Sequence, residues 1–294
     1  MSQQARKLTP QQLQALQQKS LEILLYFKRF CEEHRLQFFF CGGCLIGALR
    51  EQGFIPWDDD IDVFMPRNDY ERLTELWPKY ADTERYALCR SDRSINYRNL
   101  FINIRDNETT YIKPYQTDLD ISHGLSLDVL PLDGCPSSSI KRKLQIFWAL
   151  LYSIYNAETV PQNHGTAVKK LGAFLLKLVP SSDMRYRIWR FAERRMTQYP
   201  ISRCPWVTEL CSGPTYMRKE YPKNAFESAV LVEFEGYQMP APKGYHEYLT
   251  LAFGDYMTPP PPEKQISHHD LVFLDMERGY QAYKGIHYCL EEKK

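Results

Sequence analysis

Four carboxylates crowd into five positions of the chain, at Asp58, Asp59, Asp60 and Asp62. The stretch 51–63 around them contains no Lys or Arg that could pair with this charge. Such a density of side-chain oxygens favours a hard divalent cation, because carboxylates are the ligands that these cations prefer. The alternative is a solvated acidic turn, which is what most charged runs are.

The spacing of two of these aspartates predicts how they are presented. Residues 60–64 alternate polar and apolar side chains, which is typical of a strand with one buried face. Asp60 and Asp62 would then point to the same face about 7 Å apart, close enough to share one cation. Asp58 and Asp59 are interpreted as residues that flank the metal or support its ligands.

A glycine pair upstream has the setting of a phosphate-binding turn. Residues 36–41 form a short aromatic run with strand character, Gly42 and Gly43 follow, and residues 44–50 have the composition of a short helix. Glycine permits close approach of the backbone, and the first turn of a helix presents free amide hydrogens to an anion. The glycine pair and the nearby aspartates together predict phosphoryl-transfer chemistry.

A third carboxylate is expected from the apolar strand 125–131, which carries Asp128 in its interior. An unpaired buried carboxylate costs several kcal/mol, so Asp128 requires a partner. The metal bound by the aspartate pair is one candidate, and Arg105 on the preceding strand is the other. Asp133 follows a proline where the strand is expected to end, and it is interpreted as a turn residue.

These motifs resemble those of the LicD family, which has the nucleotidyltransferase fold. The resemblance is carried by Gly-Phe-Ile-Pro-Trp-Asp-Asp-Asp-Ile-Asp at 53–62 and by Leu-Asp-Val-Leu-Pro-Leu-Asp at 127–133, and it continues at 234–257. It covers most of residues 36–133 and 225–270. The resemblance implies an α+β fold, with a nucleotidyltransferase-like mixed sheet flanked by helices and with a helical insertion.

The resemblance also implies roles for individual residues. Asp60, Asp62 and Asp128 match the family's catalytic carboxylates, and all three would bind Mg²⁺ or Mn²⁺. Gly42 and Gly43 match its phosphate-binding glycines. Three neighbours complete the expected nucleotide and phosphate site: Arg50, Trp57 and Asp58. A guanidinium grips two phosphate oxygens at once, although Arg50 is equally compatible with an ordinary surface position.

The reaction implied by the family is transfer of phosphocholine from CDP-choline to a hydroxyl of a cell-surface glycan, of lipooligosaccharide or teichoic acid type, with release of CMP. The chain is therefore expected to be a phosphotransferase. The alternatives are transfer of ribitol or glycerol phosphate from its CDP conjugate, nucleotidyl transfer to a small molecule, and a silent scaffold that binds glycan. The expected partners are the CDP-choline donor and a glycan acceptor, with a lipid-linked glycan as one version; no nucleic-acid partner is expected.

Charge divides the chain into parts. Residues 51–133 contain seventeen acidic and nine basic residues, whereas 137–198 contain three acidic and eleven basic ones. We expect a catalytic core over 1–135, a basic helical insertion over 136–200, and a C-terminal part over 201–294 that completes the core and the substrate site.

Two segments of the basic insertion have helical patterns. Segment 140–155 starts with Lys-Arg-Lys at 141–143 and continues as an apolar run, and segment 184–195 interleaves Arg with aromatic residues. The apolar run of the first is shorter than the roughly 20 residues that span a bilayer. Contact with an anionic membrane is one interpretation of the two segments. An ordinary helical subdomain with its charges in water is the other.

Eight cysteines are scattered without paired spacing, and the chain starts with a polar, Gln-rich segment rather than an apolar signal segment. Both features favour a cytoplasmic protein, either free or peripheral to the inner face of the cytoplasmic membrane. Cys41 and Cys44 have Cys-x-x-Cys spacing but no second pair, so structural zinc is not expected. His268 and His269 are interpreted as residues that line the active site.

The remaining elements are expected to be scaffold. Thr9 and Pro10 have the types that cap and start a helix, and apolar residues at helical spacing extend it to residue 34. Asp106 and Asn107 have turn character and predict a hairpin. The other expected elements are a helix over 67–77, a strand over 230–238 and a helix over 244–252.

Overall fold

The structure is a computed structural model that describes residues 8–158, 166–267 and 270–290. The chain divides into two compact units. The acidic unit consists of Met1–Cys89, Ile102–Leu130 and Ala225–Lys294, and the basic unit consists of Arg90–Phe101 and Pro131–Asn224. By sequence the acidic unit has 29 acidic and 19 basic residues, whereas the basic unit has 7 and 18, so their net charges are −10 and +11. The predicted boundaries at residues 135 and 200 stay predictions.

Seven α-helices lie within the described residues. They are α1 (Pro10–Glu33), α2 (Gly42–Arg50), α3 (Arg67–Tyr80), α4 (Ser139–Ala157), α5 (Thr166–Leu178), α6 (Ser182–Met196) and α7 (Tyr245–Phe253). The predicted start of α1 is confirmed, because the Thr9 hydroxyl accepts from the amide of Gln12, and the Gln12 side chain accepts from the amide of Thr9. This reciprocal cap satisfies two amide hydrogens that a helix start leaves free. Within the described residues, no helix is long and apolar enough to cross a bilayer.

The strands form one large sheet and two small ones. They are β1 (Phe39–Phe40), β2 (Asp62–Pro66), β3 (Tyr86–Cys89), β4 (Ile102–Asp106), β5 (Thr110–Ile112), β6 (Leu125–Cys135), β7 (Trp206–Glu209), β8 (Tyr221–Pro222), β9 (Ala229–Phe234), β10 (Tyr237–Pro242) and β11 (Phe273–Asp275). In the acidic unit the order is β1-β2-β6-β4-β3, with β9–β10 and β5–β11 as separate antiparallel pairs. In the basic unit β7 pairs with the end of β6, and β8 pairs with β7. This mixed sheet with its helices confirms the α+β class.

Each unit has its own core. In the acidic unit Trp77 of α3 is fully buried, donates through Nε1 to the carbonyl of Tyr86 at 2.9 Å, and packs on Phe30 with ring centroids 4.5 Å apart. In the basic unit α4 and α6 pack together. The core of the basic unit includes Ala149, Tyr152, Trp189, Ala192, Met196, Leu210 and Met217.

Strand β6 runs further than the sequence indicates, and the turn predicted at Asp133 is wrong. Asp133 lies inside β6 with 1% of its surface exposed, opposite Thr208 of β7. The register of β6 with β4 ends at Val129, and its register with β7 starts at Leu132. Pro131 lies between these two paired segments. Proline has no amide hydrogen to donate to a neighbouring strand, and it is tolerated at a position outside the paired segments.

The hairpin predicted around Asp106 and Asn107 is also wrong. A tight turn does form there, with the amide of Thr109 donating to the carbonyl of Asp106 at 3.1 Å. The strand that follows, β5, nevertheless pairs with β11 near the other end of the chain. Strand β4 has β3 on one edge and β6 on the other, so it has no edge left for β5.

Candidate active site

The acidic loop, residues 51–61, connects α2 to β2 and is held in place by α1. The side-chain amide of Gln17 donates to the carbonyls of Ile55 and Asp58, at 3.2 and 2.9 Å. A turn within the loop adds a bond from the amide of Asp58 to the carbonyl of Ile55 at 2.9 Å. The backbone that carries the aspartates is therefore fixed by a helix distant in sequence.

Three carboxylates of this loop converge. One oxygen from each of Asp58, Asp59 and Asp60 lies within 4.8 Å of the others. Asp59 has 3% of its surface exposed and accepts a hydrogen bond from the hydroxyl of Ser267 at 2.9 Å. Asp58 and Asp59, interpreted from the sequence as flanking residues, thus form one group of possible metal ligands with Asp60.

Asp62 joins the same negative region from the start of β2. The strand begins at Asp62 rather than at Asp60, so the expectation that one strand carries both residues is wrong. Strand β2 pairs with β1 at Val63 and Phe64, and Asp60 lies three residues ahead of this pairing, within the acidic loop. Burial raises the pKa of Asp62 well above its ordinary value, and the negative charges of Asp60 and Asp128 raise it further.

Asp128 is presented from the centre of the sheet. Its Oδ1 accepts from the side-chain amide of Asn103, directly opposite on β4, at 2.5 Å, and from the hydroxyl of Ser126 at 3.0 Å. The amide of Asp128 donates to the carbonyl of Ile61 at 2.9 Å, so the strand is joined directly to the acidic loop. Both of these side-chain hydrogen bonds are accepted by Oδ1, and together they orient the carboxylate. Oδ2 takes part in neither of them.

The glycine pair begins helix α2 and lies against the acidic loop. An ideal Cβ built on Gly43 would lie only 2.2 Å from Oδ2 of Asp58, so the absence of a side chain is what admits that carboxylate. Gly42 has a φ of +51°, and its amide donates to the hydroxyl of Tyr248 on α7 at 3.1 Å. The predicted phosphate-binding glycines and the carboxylates are therefore neighbours.

The structure places the other predicted residues in different surroundings. Arg50 is at the far end of α2, about 12 Å along the helix from Gly42, and it pairs with Glu51 at 3.2 Å. Trp57 lines a cavity of about 450 Å³ beside the acidic loop. His268 and His269 lie outside the described residues. Arg105, the alternative partner considered for Asp128, donates to the side chain of Gln116 at 3.1 Å.

Two further residues of the site have no signal in the sequence. Burial lowers the pKa of Lys113, but neighbouring negative charges, Asp128 and Asp60 among them, raise it above its ordinary value overall. Burial raises the pKa of Tyr111, and the charges of Asp59, Asp60 and Asp128 raise it further. Neither residue belongs to a recognisable motif. Their positions are set by the three-residue strand β5 and its distant partner β11, and the local sequence does not indicate that pairing.

Cys44 lies directly behind the carboxylates. Its sulfur accepts from the amide of Asp62 at 3.4 Å and donates to the carbonyl of Asp60 at 3.9 Å. Burial raises the pKa of this thiol, and the charges of Asp58, Asp62 and Asp60 add to the rise. A neutral thiol fits this position because it brings no further negative charge to the site.

The donor set fits a hard divalent cation. The side chains that converge from the acidic loop, Asp58, Asp59 and Asp60, all end in carboxylates, and the pKa of Asp62 is raised first by burial and further by the negative charges of Asp60 and Asp128. Mg²⁺ and Mn²⁺ prefer oxygen ligands, and one carboxylate oxygen from each of Asp58, Asp59 and Asp60 lies within 4.8 Å of the others.

Comparison with known proteins agrees with this architecture. Residues 35–117 match the family model described as LicD/FKTN/FKRP, nucleotidyltransferase domain. The lipopolysaccharide cholinephosphotransferase LicD of Haemophilus influenzae is 32% identical over 262 residues, which cover 85% of this chain and 92% of the relative. The family match includes the glycine pair and the acidic loop. The chain therefore belongs to the LicD family, and the transferase class expected from its sequence is confirmed.

Proposed function

We propose that this protein transfers phosphocholine from CDP-choline to a hydroxyl of a cell-surface glycan and releases CMP. The observation that carries the proposal is the convergence of the carboxylates of Asp58, Asp59 and Asp60 next to the glycines that begin α2, with the charges of Asp60 and Asp128 acting on Asp62 beside them. The relative from Haemophilus influenzae is named for the transfer of phosphocholine to lipopolysaccharide.

The residues supply the groups that this reaction needs. Asp60, Asp62 and Asp128 would hold Mg²⁺ or Mn²⁺ together with Asp58, and the ion would supply positive charge to the phosphates of the donor. In the transfer, the acceptor oxygen bonds to the phosphorus that carries choline, and the bond from that phosphorus to the CMP oxygen breaks. Oδ2 of Asp128 takes the hydroxyl proton, because Asn103 and Ser126 fix the other oxygen.

The cavity beside Trp57 is the proposed place for the nucleoside of the donor. Its lining is neutral and includes one aromatic ring and three side-chain amides, from Gln14, Gln17 and Gln265. An indole face stacks on a planar base, and an amide both donates to and accepts from the edge of cytosine. Gln17 also bonds the acidic loop, so the cavity and the carboxylates share one support.

The acceptor is proposed to be a glycan of lipooligosaccharide or teichoic acid type, and a lipid-linked form fits the membrane anchoring of such glycans. The activity is proposed to take place in the cytoplasm or at the inner face of the cytoplasmic membrane. Lys113 adds the positive charge of a lysine to this site and is proposed to contact a donor phosphate.

Replacing Asp60 or Asp62 with asparagine tests the proposal. Each variant loses a negative charge and a metal-binding oxygen with little change in volume, so we expect turnover to be abolished while the fold is retained. Release of CMP from CDP-choline measures the activity, and circular dichroism measures the fold. Glu75→Gln, at an exposed position on α3, is the matched control and should behave as wild type.

An active Asp60→Asn or Asp62→Asn variant, within about tenfold of wild type, would contradict the assignment. Product analysis with CDP-choline, CDP-ribitol and CTP then identifies the group transferred. Phosphoribitol or phosphoglycerol transfer would keep the site and change the donor. Incorporation of the nucleotide itself would mean that the acceptor attacks the other phosphorus. The absence of any product would favour the remaining alternative, a silent scaffold that binds glycan.

A further inference from the structure

Helix α4 of the basic unit has an apolar stripe that the core does not use. Ile140, Leu144 and Phe147 follow one another at helical spacing, and their exposed fractions are 72%, 50% and 49%. The opposite face of the helix is the buried one, and it includes Gln145 and Ala149. Helix α4 therefore has one face that packs against its own unit and a separate apolar stripe that is exposed.

Helix α6 carries a second exposed stripe that meets the first. Met184 and Phe191 are 52% and 54% exposed, on the side of the helix away from its buried residue Trp189. The ring of Trp148 contacts Phe147 at a centroid distance of 5.1 Å and Phe191 at 5.5 Å. The two stripes thus join through an aromatic cluster into one surface.

Basic residues border this surface. Lys141 and Lys143 lie on α4, Arg194 and Arg195 lie on the last turn of α6, and all four are exposed. Within the described residues none of these four side chains forms an ion pair, whereas many other basic residues of the chain do. The whole basic unit has a net charge of +11 by sequence.

We infer that this basic apolar face, made of Ile140, Leu144, Phe147, Met184 and Phe191 with the four cations around them, docks on the surface of an anionic lipid bilayer. Helices that combine exposed apolar residues with Lys and Arg lie in the membrane interface, where the apolar side chains enter the boundary of the acyl chains and the cations meet lipid phosphates. The inference does not depend on the reaction proposed above.

Charge decides between a bilayer and a second copy of the chain as the occupant. A two-fold contact through this face would bring the same cations of two copies together, and like charges across an interface oppose association. An anionic bilayer offers the opposite charge and an apolar layer at once. The face is therefore complementary to anionic lipid in both respects.

Flotation of the full-length protein with vesicles tests the inference. We expect binding to vesicles of phosphatidylcholine with about one third phosphatidylglycerol, and little binding to phosphatidylcholine alone. Raising the salt from about 0.1 M to about 1 M shortens the Debye length from about 10 Å to about 3 Å and should weaken the binding. No donor or acceptor is present, so failure of the proposed reaction would not affect this measurement.

Two variants separate the apolar and the electrostatic contributions. Phe147→Glu with Phe191→Glu removes two of the three rings of the aromatic cluster, and a quadruple change to Glu reverses the charges at 141, 143, 194 and 195. Each basic residue near an anionic surface raises the membrane–water partition coefficient about fivefold. We therefore expect the partition coefficient of either variant to fall by at least about tenfold. Leu231→Glu with Ile286→Glu, at positions 66% and 61% exposed in the acidic unit, is the matched control and should bind as wild type.

Three outcomes would overturn the inference. One is equal flotation with neutral and anionic vesicles, and another is wild-type binding by both surface variants. The third is a protein that binds no vesicles but is a dimer in size-exclusion chromatography and becomes a monomer in the Phe147→Glu, Phe191→Glu variant, which would assign the face to a second copy. All substituted positions are exposed, and unfolding curves confirm that each variant is folded.

Discussion

Replacing Gly43 with alanine tests whether the carboxylate of Asp58 belongs to the working site. An ideal Cβ at this position would lie 2.2 Å from Oδ2 of Asp58, whereas ordinary van der Waals contact begins at 3.4 Å. The carboxylate must therefore move away by about 1 Å, and a displacement of about 1 Å in a catalytic arrangement can cost about 10²-fold in rate. We expect kcat/KM for CDP-choline to fall by about that factor.

The same change should not destabilise the protein. Gly43 is in the first turn of α2 with an ordinary backbone conformation, and alanine favours a helix over glycine by up to about 1 kcal/mol. The free energy of unfolding in urea is therefore expected to stay constant or rise slightly. Titration calorimetry with Mn²⁺ should show weaker binding, which reports on the carboxylates without any substrate.

Gly42→Ala is the matched control at the neighbouring position. Its Cβ would meet nothing within 4 Å, but its φ of +51° is unfavourable for alanine by about 1–2 kcal/mol. We expect lower stability with nearly normal Mn²⁺ affinity, the reverse of Gly43→Ala. A folded Gly43→Ala protein with wild-type Mn²⁺ affinity and wild-type turnover would refute the reasoning, as would equal losses of Mn²⁺ affinity in the two variants.

Two predictions concern the basic unit. Arg142 is buried and donates to the side chains of Gln145 and Thr208 and to the carbonyl of Met217. Arg142→Met leaves these acceptors without their donor and should lower the free energy of unfolding in urea by about 3 kcal/mol. A loss below about 1 kcal/mol would contradict this. Burial raises the pKa of Glu209 from 4.5 to about 7, so the folded state binds this proton more tightly than the unfolded state does. The stability gained from the bound proton is complete below pH 4.5 and is lost as the pH rises through 7. Glu209→Gln should therefore gain roughly 2 kcal/mol relative to wild type between about pH 5 and pH 8, and parallel unfolding profiles for the two proteins would refute the assignment.

Elements with a strong local pattern could be predicted from the sequence. The helix α1 was expected from Thr9, Pro10 and the apolar spacing that follows, because capping and amphipathic periodicity are properties of neighbouring residues. The grouping of the acidic loop with the glycine pair was also foreseeable, since both lie within twenty residues of each other. The resemblance to the LicD family, confirmed by comparison, rests on the same local string.

Features that depend on distant partners could not be predicted. Strand β5 pairs with β11, and nothing within 110–112 specifies a partner more than 160 residues away. The segment 230–238 has the character of one strand, yet it contains the turn between β9 and β10 at Glu235 and Gly236, both with positive φ. Asn103 was not expected at the site because its role follows from the register that sets it opposite Asp128.

The division of the sequence between the two units sets an order for folding during synthesis. The acidic unit needs three separate stretches of sequence, and its last stretch starts only at Ala225, whereas the basic unit is complete at Asn224. Domains fold as units while the ribosome adds about 5–20 residues per second. The basic unit is thus able to close first, and the unpaired strands of the acidic unit stay exposed to aggregation until the stretch that starts at Ala225 has been added.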